Sequence, residues 1–138
     1  MHFLPFSTMK QLEIIELGET NSTPQVSADP QKHQLVLKGR SLPVDAYSFY
    51  QPIIDWLSKY GASDNSKLDL IIQLTFLNSG SSKRLIDLFE CADRLSQNGC
   101  RTDIEWHYND NSDDIYAAGK EYSSLVSVPF KLVKSNKN

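Results

Sequence analysis

Apolar and polar positions change period several times along this chain, and each change marks an element. In KQLEIIELG, residues 10–18, alternation predicts a first strand with Leu12, Ile14 or Ile15, and Leu17 facing inward. STPQVSAD (22–29) and HQLVLKGRS (33–41) follow as short extended pieces. The turn DPQKHQ between them predicts a hairpin, whose second arm ends at Gly39. The period then becomes helical: Ala46, Phe49, Tyr50, Ile53, Leu57 and Tyr60 share one face, and Gly61 supplies a stop. Pro52 falls inside this run, so either the helix bends there or its regular part begins near that residue.

LDLIIQLTFL, residues 68–77, is apolar on both alternating faces, the pattern of a central strand covered on both sides. From Ser82 onward Leu85, Leu88, Phe89, Ala92 and Leu95 form one helical stripe, which ends at Gly99. RTDIEWHY alternates again, with Ile104 and Trp106 on one side. The acidic NDNSDD opens a shorter helix through DIYAAGKEYSSL, with carboxylates where a helix N-terminus favours negative charge, and VPFKLV supplies a last strand. The order β-β-α-β-α-β-α-β predicts one α/β domain, a mixed sheet of about five strands with helices packed on it. Residues 1–10 and 134–138 read as extensions.

Composition narrows the function. The 138 residues suit a single core, and 40% hydrophobic with 22% charged residues is an ordinary soluble balance. A net charge of -3 with scattered Lys and Arg argues against nucleic acid as a partner. No apolar segment approaches the roughly 20 residues of a membrane span. The opening MHFLPFST lacks the basic flank and cleavage site of a secretory signal, so a cytoplasmic protein with reduced Cys91 and Cys100 is expected. The cysteine spacing suits neither a metal nor a redox site.

The candidate chemistry lies in Asn78, Ser79, Gly80, Ser81 and Ser82, between the central strand and the second helix. Open α/β sheets place ligands at the carboxyl ends of their strands, so this turn is topologically a functional location. A plain helix cap by Ser79 or Ser81 also explains the hydroxyls. Lys83 and Arg84 in the first turn oppose the helix dipole, and an anion at the same end relieves them. The turn lacks the P-loop spacing and the glycines of a G-x-S-x-G elbow. His2, His33 and His107 form no HExxH pair, and Asp110, Asp113 and Asp114 lack the EF-hand pattern. No metal or cofactor is expected. Three readings remain open: a phosphorylated regulator, a small-ligand or anion-binding module using this helix N-terminus without covalent modification, and a hydrolase acting through Ser79 or Ser81.

GRSLPVDAYSFYQPIIDWL, LTFLNSGSSKRLIDL and IEWHYNDNSDDIYAAGKEY, in order between about Thr23 and Phe130, resemble the SiaC family of bacterial regulatory phosphoproteins. The blocks G-R-S-x-P, F-Y-Q-P-I-x-D-W-L and W-H-Y-acidic carry the likeness. The resemblance implies a fold similar to STAS and anti-anti-sigma-factor domains, working as a partner switch without catalytic activity. It implies a protein kinase, a PP2C-type phosphatase and a diguanylate cyclase effector, which the unphosphorylated form binds and activates in cyclic-di-GMP and biofilm signalling. The family's phosphoacceptor is the threonine of an N-T-S-S block. Asn78 matches its asparagine, Ser79 its threonine, Gly80 the next serine and Ser81 the last. Gly80 departs from that pattern, and Ser81 and Ser82 compete with Ser79 as acceptors. Asn78, Gly80, Ser81, Lys83 and Arg84 are the candidate partner-binding residues, with Tyr47, Tyr50 and Trp56 on the first helix as further candidates.

Overall fold

The computed structural model describes residues 12–63 and 67–135. Its elements run β1 (Ile15–Leu17), β2 (Gln25–Asp29), β3 (Gln34–Ser41), α1 (Ala46–Ala62), β4 (Lys67–Leu77), α2 (Ser79–Gln97), β5 (Arg101–Tyr108), α3 (Asp113–Ser123) and β6 (Phe130–Lys134). The α/β class holds, with a mixed sheet of six strands rather than five. The strands lie in the order β1-β2-β3-β4-β5-β6. The first three are antiparallel neighbours, and β3 to β6 are parallel.

Burial follows from that order. Each helix connects one parallel strand to the next in the same direction across the sheet, and crossovers of one hand therefore place all three helices on one face. Leu68, Leu70, Ile72 and Leu74 of β4 are buried beneath them, while Asp69, Ile71 and Gln73 on the other face are only half-buried. Among the described residues, the expected two-sided cover of β4 is thus replaced by helices on one sheet face. Ile71 and Phe76 account for the difference, because they are apolar residues on the face away from the three described helices.

Other differences are local. β1 is short: Leu12 and Ile15 pack against the core, but Ile14 and Leu17 are exposed. Gly39 does not end β3, which runs on to Ser41. With φ of 121°, Gly39 takes a conformation that side chains resist, at a register shift where it pairs with Leu74 and Arg40 pairs with Phe76. Helix α1 starts before Pro52, at Ala46, because Asp45 accepts hydrogen bonds from the Ser48 amide and hydroxyl. Gly61 lies inside its last turn, against Leu95 of α2. Lys134 is the last residue of β6 and pairs with Asp110 at 2.8 Å, so it belongs to the body; residues 1–10 lie outside the described chain.

Aromatic residues stitch the layers. Trp106 is buried between the sheet and α3, and its indole N–H donates to the Ile115 carbonyl at 2.8 Å. Gly119 lets α3 approach that ring, since a Cβ there meets Trp106 Nε1 at 2.6 Å. Tyr60 at the end of α1 donates to the Lys67 carbonyl and bonds His33 Nδ1 at 2.8 Å. Among the described residues no helix is long and apolar enough to cross a membrane.

Candidate functional site

The serine turn lies at the carboxyl end of β4, beside the end of β3. The backbone N–H of Asn78 donates to the Ser41 carbonyl at 3.1 Å, which carries the pairing of the two parallel strands into the turn. Asn78 is also the helix cap. Its Oδ1 accepts the Ser81 amide at 2.8 Å, and its Nδ2 donates to the Pro43 carbonyl at 3.0 Å. One amide side chain thereby starts α2 and ties it to the segment before α1. The capping role expected of Ser79 or Ser81 belongs to Asn78, so α2 begins at Ser79, one turn earlier than the apolar stripe indicated.

The three serines occupy different environments. Ser79, the first helical residue, is exposed. Its amide and that of Gly80 lie in the first turn, where no preceding helical carbonyl can accept them. Gly80 brings α1 and α2 together: a Cβ there comes within 3.0 Å of the Ala46 methyl. Ser82 is half-buried, and its carbonyl accepts the Tyr122 hydroxyl at 2.9 Å.

Ser81 is fully buried. Its Oγ donates to the Ser41 carbonyl at 3.0 Å and lies 2.8 Å from Ser41 Oγ, which lies 2.6 Å from the Tyr50 hydroxyl. Each hydroxyl has one proton, so the order is determined. Ser81 gives its proton to the carbonyl and must accept from Ser41 Oγ–H, and Ser41 in turn accepts from Tyr50 O–H. Burial pushes the Tyr50 phenol up to about 12, against the opposing effect of the nearby Ser41 and Ser81 hydroxyls. This chain joins β3, α1 and α2 in the core.

The basic pair divides. Lys83 is exposed, four residues after Ser79 and on the same helical face. Arg84 turns inward, with only 13% of its side chain exposed. Its Nη1 donates to Asp87 at 2.7 Å, its Nη2 donates to Gln51, and its guanidinium centre lies 4.3 Å from the Tyr47 ring centroid. Of the first-helix candidates, Tyr50 and Trp56 are core residues and Tyr47 is exposed.

The described histidines are engaged away from this turn. His33 is bonded to Tyr60, and His107 to Glu105 at 3.0 Å, with Gln73 at 3.4 Å. Among the described residues no three His, Cys, Asp or Glu side chains form a metal cluster. Cys91 and Cys100 are buried free thiols. Sequence reasoning missed the Tyr50–Ser41–Ser81 chain and the Asn78–Pro43 clip. One signal was present: Tyr50 falls on the buried stripe of α1, and a buried phenol calls for a polar partner.

Comparison with known proteins accords with this geometry. A model of the SiaC family of regulatory phosphoproteins matches residues 17–135. An uncharacterized protein of Pseudomonas aeruginosa (strain UCBPP-PA14) is 28% identical over 118 residues, covering 86% of this chain and 94% of its own. The structure of SiaC of Pseudomonas aeruginosa superposes with a TM-score of 0.82 at 26% identity, covering 89% of this chain and 99% of that one. A further match is to a crystal structure of the diguanylate cyclase SiaD in complex with its activator SiaC, from the same organism. There the TM-score is 0.83 at 26% identity, over 88% of this chain and 99% of the matched chain.

Proposed function

This chain belongs to the SiaC family of regulatory phosphoproteins, and from that membership we propose that it is a non-enzymatic partner switch controlled at Ser79. Unphosphorylated, it binds a diguanylate cyclase and raises cyclic-di-GMP production. A protein kinase adds phosphate to Ser79 and releases the effector, and a PP2C-type phosphatase restores binding. The effector role is supported by the similar SiaC of Pseudomonas aeruginosa, which is an activator in complex with the cyclase SiaD.

The observation that carries the choice of Ser79 is the contrast among the three hydroxyls. Ser79 is exposed at a helix N-terminus, Ser82 is half-buried, and Ser81 is enclosed in a chain of hydrogen bonds. A kinase needs the hydroxyl to enter its own active site, so Ser81 becomes available only if the ends of α1 and α2 separate. Phosphate on Ser79 brings about -1.5 to -2 charges to the uncommitted Ser79 and Gly80 amides and to Lys83. An effector covering this turn must then strip water from a dianion.

Intact mass and phosphopeptide mapping of the protein from its own cells tests this reading. The expected result is a phosphatase-removable increment of about 80 Da on Ser79 that disappears in Ser79→Ala. Phosphate mapped to Ser81 or outside the turn, or none under several growth conditions, contradicts it.

A further inference from the structure

Ser79 is exposed, but the residues on either side of it are not free. Asn78 before it is half-buried: its amide N–H donates to the Ser41 carbonyl at 3.1 Å, its Nδ2 donates to the Pro43 carbonyl at 3.0 Å, and its Oδ1 accepts the Ser81 amide at 2.8 Å. Gly80 after it stands against Ala46, whose methyl lies 3.0 Å from where a Cβ would be. Ser81 is fully buried and closes the hydroxyl chain to Ser41 and Tyr50. The switch hydroxyl therefore stands on a turn tied at once to the end of β3, to the loop before α1 and to α1 itself.

A kinase can reach such a hydroxyl in two ways. It can draw Ser79 and its neighbours out as an extended segment, or it can take the oxygen where the fold puts it. The first way breaks the ties of Asn78 and Ser81 and strips the buried Ser41 of its partner hydroxyl. Segments that open readily have few buried contacts and solvent-exposed backbone bonds, and Ser81 is the opposite case. A kinase that required the opened turn would also have its apparent affinity reduced by the small fraction of molecules open at any moment.

We infer that Asn78, Ser81, Ser41 and Tyr50 are positioning residues for phosphorylation: they hold the Ser79 oxygen in place for a kinase that acts on the folded turn. The inference rests on the Ser79 reading proposed above. In the transfer the Ser79 hydroxyl gives its proton to a base of the kinase, a bond forms from Oγ to the γ-phosphorus of a nucleoside triphosphate, and the bridging P–O bond breaks to release the nucleoside diphosphate. The four residues act through the placement of that one oxygen, and a displacement of about 1 Å is enough to slow such a step strongly.

The test measures steady-state phosphorylation of the full chain by purified protein kinases of the same genome, with the modified residue mapped by mass spectrometry. Wild type is compared with Asn78→Ala, Ser81→Ala, Tyr50→Phe and Tyr60→Phe, and thermal unfolding verifies each fold. Tyr60→Phe is the matched control, because it removes a phenol that bonds the Lys67 carbonyl and His33 at the other end of α1. Asn78→Ala and Ser81→Ala lower kcat/KM at least about tenfold, chiefly through kcat. Tyr50→Phe lowers it less, being one bond further from the turn, and Tyr60→Phe is phosphorylated as wild type. Asn78 is only half-buried, so Asn78→Ala stays folded and carries the test alone if Ser81→Ala unfolds. Faster phosphorylation of Asn78→Ala and Ser81→Ala overturns the inference, since a kinase that acts on the opened turn profits from a loosened one. Unchanged rates in the variants, or an equal loss in Tyr60→Phe, overturn it too, because the bonds then serve stability alone. In those cases a wild type modified at Ser79 leaves the switch standing without the positioning. A wild type modified elsewhere, or by none of the kinases, overturns both readings.

Discussion

At the scale of single residues, the site turns on which hydroxyl faces water. Ser79 and Ser81 are two positions apart, yet helical geometry sends one outward and the other between β3 and α1. Ser81 and Tyr50 thus become structural through their shared partner Ser41. That arrangement predicts an alkaline signature. Tyr50 keeps its proton to about 12 in the folded state and releases it near 10 when unfolded, so the unfolded chain binds fewer protons between those values. Its contribution is complete below pH 10 and declines as pH rises towards 12, by a few kcal/mol at most. In Tyr50→Phe, denaturant unfolding shows a loss of about 1 kcal/mol at pH 7 and a shallower decline above pH 10. An equally steep decline in the variant contradicts the buried phenol.

At the scale of elements, the helical stripes and the hairpin were legible because their periods are unambiguous: Leu85, Leu88, Ala92 and Leu95 read as a buried helical face and are one. The start of α2 was not, since Ser79, Gly80, Ser81 and Ser82 are weak helix formers and only the Asn78 cap extends the helix to them. Nor could periodicity show that Arg84 folds back onto Gln51 and Tyr47, a contact across two helices. In Asn78→Ala the cap and the bond to Pro43 disappear together. Stability falls by about 1 to 2 kcal/mol, and hydrogen exchange quickens in the first turn of α2. Exchange unchanged there contradicts Asn78 as the clip. Gly119→Ala is a separate test of helix packing: the added methyl meets the buried Trp106 ring, and the thermal midpoint falls as α3 is pushed away from β5.

At the scale of the whole molecule, strand order makes the site. Four parallel strands in sequence put the three described helices on one face, and the loops leaving β3 and β4 meet at one end of the sheet. The α/β class followed from the alternation of elements, but the placing of the described helices on one face did not, because Ile71 and Phe76 are apolar on the face away from them. The result sets the exposed Ser79 at a helix N-terminus, with exposed Lys83 one turn further along. On the proposed reading, phosphate on Ser79 changes that surface locally and leaves the buried Ser81 and Tyr50 in place.

The most direct test compares the affinity of two forms for the effector cyclase at one ionic strength: the unmodified chain, and the chain carrying phosphoserine at position 79 in full occupancy. The unmodified form is expected to bind and stimulate the cyclase, and the phosphorylated form to bind at least 5 to 150-fold more weakly, about 1 to 3 kcal/mol. Equal affinity and equal stimulation by the two forms contradict the switch.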